Sequence, residues 1–153
     1  MFARLTLGAS ALVITLAGGA MLPPALGAQM RAAYHAHLSL VPVDAGGARR
    51  TRGVGEATAT LEGGILQIAG TFEGLASSVS RADLHQGGPG FRGPAFHTLV
   101  VSGSTEGRIE GRVQLTEEQV QALALGHLYL QVYTETNPDG AIRGWFFSRG
   151  EEN

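Results

Sequence analysis

Apolar and polar side chains alternate residue by residue along most of the chain after residue 30. In the first such stretch, Tyr34, Ala36 and Leu38 alternate with His35 and His37. This period of two is typical of β-strands that bury one face. It predicts eight strands, over residues 34–40, 56–61, 65–73, 79–85, 96–101, 108–115, 128–134 and 141–148. We therefore expect an all-β chain of seven or eight strands.

Turn residues and one helical segment separate the predicted strands. Gly63 and Gly64 suit a tight hairpin turn, and residues 86–94 are too rich in Gly and Pro for anything but a loop. Residues 116–126 break the alternation, because Thr116 and Gln119 form a capping box and helical spacing of apolar residues follows. One short helical crossover between strands indicates an antiparallel Greek-key β-sandwich.

The N-terminal residues have the composition of a targeting segment. Arg4 precedes an uncharged, apolar stretch over residues 5–22, and Pro and small residues follow up to residue 28. This pattern predicts a hydrophobic helix in residues 1–28 that is either a secretory signal peptide or an uncleaved membrane anchor. We then expect a β-domain over residues 29–149, a polar tail over residues 150–153, and an exported protein. It would be periplasmic or extracellular, or anchored in the inner membrane if residues 5–22 are retained.

Charge and cysteine content exclude several function classes. All 11 fixed cations are Arg, the net charge is −2, and there is no Cys. A scattered set of Arg gives no basic face for nucleic acid. The absence of Cys excludes disulfides, thiolate catalysis and Cys-ligated metals. No Gly-x-Ser-x-Gly elbow is present either, so we expect a protein that is not an enzyme and has no cofactor.

Three segments together resemble the CHRD domain, which is repeated in chordin and found alone in exported bacterial proteins. They are the hairpin over residues 55–74, the Ala-Asp-Leu-His strand with its Gly-rich loop over residues 82–94, and residues 115–144. The resemblance covers nearly all of the chain after the leader and implies the family's β-fold. It brings no general enzymatic activity, since in chordin such domains belong to an extracellular growth-factor antagonist.

The chain departs from the family at polar positions. The family usually reads Ala-His-Ile-His, then His-Thr, then Gly-Glu-Ile-Arg-Gly. Asp83 and Tyr133 stand here in place of two histidines, and Ala141 in place of the glutamate, so that only His85 and Arg143 remain. We expect Asp83, His85 and Tyr133 to form a hydrogen-bonded cluster that replaces the family's histidines.

A metal site is the alternative interpretation. His35 and His37 are two residues apart, so on a strand they point to the same side, as half of a zinc or copper site requires. The candidate set is His35, His37, Asp83 and His85, with His97 and His127 as other sources of a third ligand.

The residues best suited to contact a protein partner are aromatic or cationic and lie in a loop or the last strand. They are Phe91, Arg92, Arg143, Trp145 and Phe147. Arg143 has two interpretations: a structural residue bonded to Asp83 or Asp139, or a residue that recognises a carboxylate ligand. We therefore expect a non-catalytic binding, accessory or structural module that presents the loops over residues 87–94 and 135–140 to a partner.

Overall fold

The computed structural model describes residues 31–41 and 51–149, which form nine strands and one helix. The strands are β1 (Ala32–Leu40), β2 (Val54–Glu62), β3 (Ile65–Glu73), β4 (Val79–Gln86), β5 (Ala95–Gly103), β6 (Gly107–Gln114), β7 (Leu128–Thr134), β8 (Ile142–Trp145) and β9 (Phe147–Ser148). The helix α1 (Glu117–Ala124) lies between β6 and β7. Every predicted strand is confirmed, and all pairings are antiparallel.

The last two strands occupy one position in the sheet and are separated by a break at Phe146. We call the two together the β8–β9 rung. β8 pairs with β1 through Arg143 and Ser39, and β9 pairs with β1 through Phe147 and His35, in the same register. Counted together they give eight strands around the molecule, at the upper end of the expected seven or eight.

The strands close into a barrel, so the expected two-sheet sandwich is wrong. The order is β2-β3-β6-β5-β4-β7-β8-β1, and β1 also pairs with β2, which closes the ring. β1 and β5 make the closure possible: β1 bonds both β2 and β8, while β5 bonds β4 through residues 95–99 and β6 through residues 100–103. Alternation in the sequence sets which side chains point inward, but it is the same for a sandwich and a barrel.

The interior of the barrel is filled by the inward residues of the strands together with residues from the helix and loops. These buried apolar residues form one cluster, with Leu38, Leu66, Ile109, Leu130 and Phe146 among its fully buried members. Small residues fill the positions where strands approach closely: a Cβ on Gly144 would lie 2.5 Å from the backbone oxygen of His37. The closed barrel therefore provides a rigid wall whose outer face carries the polar side chains discussed below.

The order of the strands and the helix follow the sequence pattern. β4 to β7 lie in the order β7-β4-β5-β6, which is a Greek-key arrangement, and α1 is part of the long connection from β6 to β7. Thr116 and Gln119 form the predicted capping box, and Gly126 has a φ of 72° just after the helix, which glycine adopts without strain.

The predicted leader over residues 1–28 and the polar tail over residues 150–153 lie outside the described residues. In the described ranges, no helix has the length and apolar character needed to cross a membrane.

Candidate functional site

Polar and aromatic side chains cover the outer face of the barrel where β4, β7 and β8 run side by side. We call this set the outer polar cluster; its members are Arg81, Asp83, His85, Tyr129, Gln131, Tyr133, Arg143 and Trp145. Cross-strand register arranges most of it in two rows, Trp145–Tyr129–His85 and Arg143–Gln131–Asp83. Alternate residues of the same strands, such as Leu84, Leu130 and Ile142, point into the core. The cluster therefore follows directly from the strand alternation.

Both ring nitrogens of His85 form hydrogen bonds. Nδ1 lies 2.8 Å from the carbonyl oxygen of Gly93, and Nε2 lies 2.8 Å from the hydroxyl of Tyr133. A carbonyl oxygen only accepts, so Nδ1 carries the proton and, in the neutral ring, Nε2 accepts from Tyr133. The ring also stacks on Tyr129, with centroids 4.7 Å apart. The hydrogen bond to Tyr133 confirms one contact of the expected cluster.

Burial lowers the pKa of His85, although its hydrogen bond to Gly93 and the charge of Asp83 oppose the shift. Arg143 and Arg81 lower it further. Burial likewise raises the pKa of Tyr133. Both shifts favour the neutral forms, so the bond between these two side chains joins uncharged partners.

The carboxylate of Asp83 accepts hydrogen bonds from Arg81 and Thr98, and not from His85. Its Oδ2 accepts a hydrogen bond of 2.9 Å from Nε of Arg81, and its Oδ1 accepts one of 2.9 Å from the hydroxyl of Thr98. The guanidinium of Arg81 in turn lies 4.0 Å from the ring centroid of Tyr133. Asp83 is thus joined to Tyr133 through Arg81, a link that the sequence analysis did not include.

Arg143 lies in the middle of the outer face and is only 6% exposed. Its Nε donates a hydrogen bond of 2.8 Å to Oε1 of Gln131, whose amide donates to the backbone oxygen of Asp139. The guanidinium carbon lies 5.0 Å from the ring centroid of Tyr129 and 5.5 Å from that of Trp145. The expected bonds to the carboxylates of Asp83 or Asp139 are therefore wrong: Arg143 reaches the loop over residues 135–140 only through Gln131.

A shallow groove of about 460 Å³ opens beside Arg143, between β1 and the β8–β9 rung. We call it the β1–β8 groove; its lining residues are His35, His37, Ser39, Arg143, Trp145, Phe147, Ser148 and Arg149. Phe147 is 54% exposed, and Trp145 is half-buried. The groove thus unites three of the predicted interaction residues with the His35–His37 pair.

The structure does not assemble the four-residue metal site. His35 and His37 lie on β1, whereas Asp83 and His85 lie on β4, with β8 and β7 between them. At about 4.8 Å per strand, the two pairs are about 14 Å apart, too far to share one ion. In the described ranges, no group of three or more His, Cys, Asp or Glu is placed to hold a metal.

Glu56 is the neighbour of the two histidines on β1. Its carboxylate lies 4.0 Å from Nε2 of His35 and 3.9 Å from Nδ1 of His37. The register places Glu56 opposite His37. The side chains of Glu56 and His37 are largely exposed to solvent, and that of His35 is 41% exposed. The sequence analysis missed this partner because it depends on how β1 and β2 align.

The Gly-rich loop over residues 87–94 is fastened to the outer polar cluster at both of its ends. The indole of Trp145 donates to the oxygen of Gly87 at 3.0 Å, and the nitrogen of Gly93 donates to the hydroxyl of Tyr129 at 3.0 Å. Phe91 in the loop is 74% exposed. The fifth predicted interaction residue, Arg92, is exposed and acts electrostatically on Arg143.

The sequence analysis missed further residues of this face, among them Tyr129, which stacks on His85. Arg81 and Gln131 lie two residues from Asp83 and Tyr133 on the same strands, so the strand alternation could have found them. Arg149 lines the groove because the chain continues past β9 along β1, where its nitrogen bonds the oxygen of Ala33. No local sequence signal marks that position.

Comparison with known proteins gives one match. The family model described as the CHRD domain matches residues 34–146, which is most of the 153-residue chain. Searches of curated proteins and of solved structures each gave no match. The matched range contains all eight residues of the outer polar cluster and runs from the first strand of the barrel to Phe146. This chain therefore belongs to the CHRD-domain family.

Proposed function

We propose that the chain is a non-catalytic binding or accessory module that acts outside the cytoplasm and engages a protein partner through one face of the barrel. The face consists of the β1–β8 groove and the loop over residues 87–94. If residues 1–28 are a retained anchor, the module is a membrane-bound subunit of a larger complex. If they are a cleaved signal, it is a free periplasmic or extracellular protein.

The observation that carries the proposal is that exposed aromatic side chains and cations adjoin one another on a rigid support. Phe147 and Phe91 are both more than half exposed. Phe147 lines the groove together with Arg143 and Trp145, and the loop that carries Phe91 is hydrogen-bonded to Trp145 through Gly87. Aromatic residues and Arg are the side chains most enriched where proteins bind one another. Loops on a rigid scaffold are a usual place for recognition.

Site-specific photo-crosslinking tests this proposal. A photoreactive phenylalanine analogue replaces Phe147 in the full chain, expressed in the cells that make it. We expect irradiation to give a crosslinked product with one protein. The matched control places the analogue at Val100, which is 71% exposed on β5 and lies outside the groove. Equal products from both positions, or a chain that stays uncrosslinked from Phe147, contradict the proposal.

A further inference from the structure

Arg143 is a buried cation held in one orientation by neutral groups. The bond from Nε to Gln131 fixes the plane of the guanidinium, and the rings of Tyr129 and Trp145 flank it at 5.0 and 5.5 Å. Gln131 is itself buried and bonded to the backbone of Asp139, so it has little freedom to move. The side chain is therefore preorganised before any ligand arrives.

No carboxylate of the described residues balances this charge. The ion pairs of the described ranges join His35 and His37 to Glu56, and Arg81 to Asp83. Asp83 is the buried carboxylate of the outer polar cluster. Its Oδ2 is hydrogen-bonded to Arg81 and its Oδ1 to Thr98. Arginine is seldom this buried without an ionic partner, because desolvating an unpaired charge costs free energy.

The two terminal nitrogens of Arg143 remain available to a ligand. Its hydrogen bond within the described residues uses Nε, and every fully buried side-chain nitrogen or oxygen in those residues has a partner. The terminal Nη atoms therefore keep some contact with solvent. Arg143 also lines the groove, which is the open space beside it. Two adjacent N–H groups of a guanidinium match the two oxygens of a carboxylate.

The surroundings of Arg143 also favour an acidic ligand. Arg149 lines the same groove, and Arg92 lies close enough for its charge to lower the pKa of Arg143, after the larger effect of burial. Ser39, opposite Arg143 on β1, adds a hydroxyl. Further along the same rung as Arg143, Trp145 and Phe147 offer apolar surface to the groove. The groove thus combines cations with an aromatic wall.

We propose that the Nη groups of Arg143 bind a side-chain carboxylate from an acidic segment of a partner protein, with an apolar neighbour of that carboxylate packed on Phe147. This inference rests on the proposed function, because it names the chemistry of the partner at the same face. Charge complementarity selects the segment, and the desolvated setting of Arg143 makes the pairing stronger than it would be between exposed side chains.

Titration with matched peptides tests the inference. The probe is the pentapeptide Gly-Glu-Phe-Glu-Gly, acetylated and amidated, and its comparison is the same peptide with Gln in place of both Glu. Trp145 is the only tryptophan, so its fluorescence reports on the groove, and calorimetry gives an independent Kd. We expect the Glu peptide to bind the full chain at least about tenfold more tightly than the Gln peptide, since a hydrogen bond to a charged carboxylate is stronger than one to a neutral amide.

Three variants locate the effect. We expect Arg143→Gln to remove the preference for Glu over Gln, and Arg92→Gln, on the exposed loop, to reduce it. Arg112→Gln makes the same charge change on the exposed surface of β6, outside the groove, and is expected to preserve it. Arg92→Gln keeps the test decisive if Arg143→Gln fails to fold, because it changes no buried contact.

Equal binding of the two peptides, or no binding of either, overturns the inference. So does a preference for the Glu peptide that survives in both Arg143→Gln and Arg92→Gln. Acetate or inorganic phosphate binding as tightly as the Glu peptide would overturn the assignment to a protein segment. The crosslinking experiment is independent: a crosslink from Phe147 without any Glu preference refutes the carboxylate alone, while a Glu preference without a crosslink refutes the protein partner.

Discussion

His85 shows how one side chain on the outer face of the barrel contributes to the stability of the fold. It is buried on the face away from the core, because the loop over residues 87–94 folds back and the carbonyl oxygen of Gly93 accepts a hydrogen bond from its Nδ1. The second nitrogen needs a donor, and Tyr133 provides it. A protonated ring would have to turn this second bond around in a poorly hydrated place, which is why burial lowers the pKa.

The lowered pKa of His85 predicts that stability falls as the solution is acidified. Between the lowered pKa of the folded state and the ordinary value of 6.5, the unfolded chain binds a proton that the folded chain does not. The free energy of unfolding therefore rises with pH across that window, and the contribution is complete above it. Urea unfolding of the full chain at about pH 5 and about pH 7.5, on either side of the ordinary histidine pKa, measures this difference.

Two variants separate His85 from other titrating groups. His85→Asn keeps a donor near Nδ1 but does not titrate, so we expect its stability to change less between the two pH values than that of the wild type. His127→Asn removes an exposed histidine and is expected to behave as the wild type does. If His85→Asn retains the full pH dependence, the explanation from His85 is wrong.

At the residue scale, the sequence predicts which side chains share a strand face better than it predicts their hydrogen-bond partners. Because Asp83 and His85 are two apart on one strand, their shared side and the contact of His85 with Tyr133 could be predicted. The partner of Arg143 could not be predicted, because it depends on the register of β7 against β8, which places Gln131 rather than a carboxylate opposite it.

At the scale of the elements, the β8–β9 rung is held by neighbouring strands on both of its sides. It pairs with β1 on one side and, through β8, with β7 on the other. It approaches β1 closely at Gly144, where an added Cβ would meet the backbone of His37 and Leu38 at 2.5–3.1 Å. The contact is with backbone atoms, which have no rotamer to change, so the strands themselves would have to separate.

We therefore predict that Gly144→Ala destabilises the fold by about 1–3 kcal/mol, the usual cost of overpacking a tight position. The matched control is Gly88→Ala, since a Cβ there makes an ordinary contact of 3.6 Å with the ring of His127. Denaturant unfolding of both variants gives the comparison. Equal stabilities for the two variants would show that β8 moves away from β1 at little cost.

The existence and chain order of the strands were the part of the fold most open to prediction, whereas most strand ends differ by one or two residues from the predicted ones. The third and seventh strands agree with the sequence analysis at both ends, because clear turn signals and steady alternation bound them. Gly63 and Gly64 both have positive φ, as the predicted hairpin turn requires. The break at Phe146 was not predicted, since its apolar side chain continues the alternation and is fully buried.

At the scale of the whole molecule, the alternation in the sequence does not determine whether the strands form a sandwich or close into a barrel. Alternation predicts an inner and an outer face for each strand in a sandwich and a barrel alike. What separates them is that β1 bonds two neighbours and β5 changes partner half-way along its length. Such long-range pairings leave no local signal. The location of the candidate face was nevertheless predictable in part, because the last strand and the Gly-rich loop were already singled out.

A single buried cluster that includes residues from strands all around the ring predicts cooperative unfolding. The fluorescence of Trp145 reports on β8 and on its bond to Gly87, while far-UV circular dichroism reports on all strands. We expect the two signals to give the same urea midpoint. A fluorescence transition at clearly lower urea would mean that the loop and groove open while the barrel persists.

The strict alternation of the final rung has a consequence for how this protein can change over time. Ile142 and Phe146 complete the hydrophobic interior, and Arg143, Trp145 and Phe147 between and beside them form the outward surface. Loss or gain of one codon between Ala141 and Ile142 would exchange the two sets, sending the guanidinium inward and the side chains of Ile142 and Phe146 into water. The proposed interaction surface and the interior therefore depend on one strand register over residues 141–147, so we expect this segment to tolerate point substitutions but not single-residue insertions or deletions.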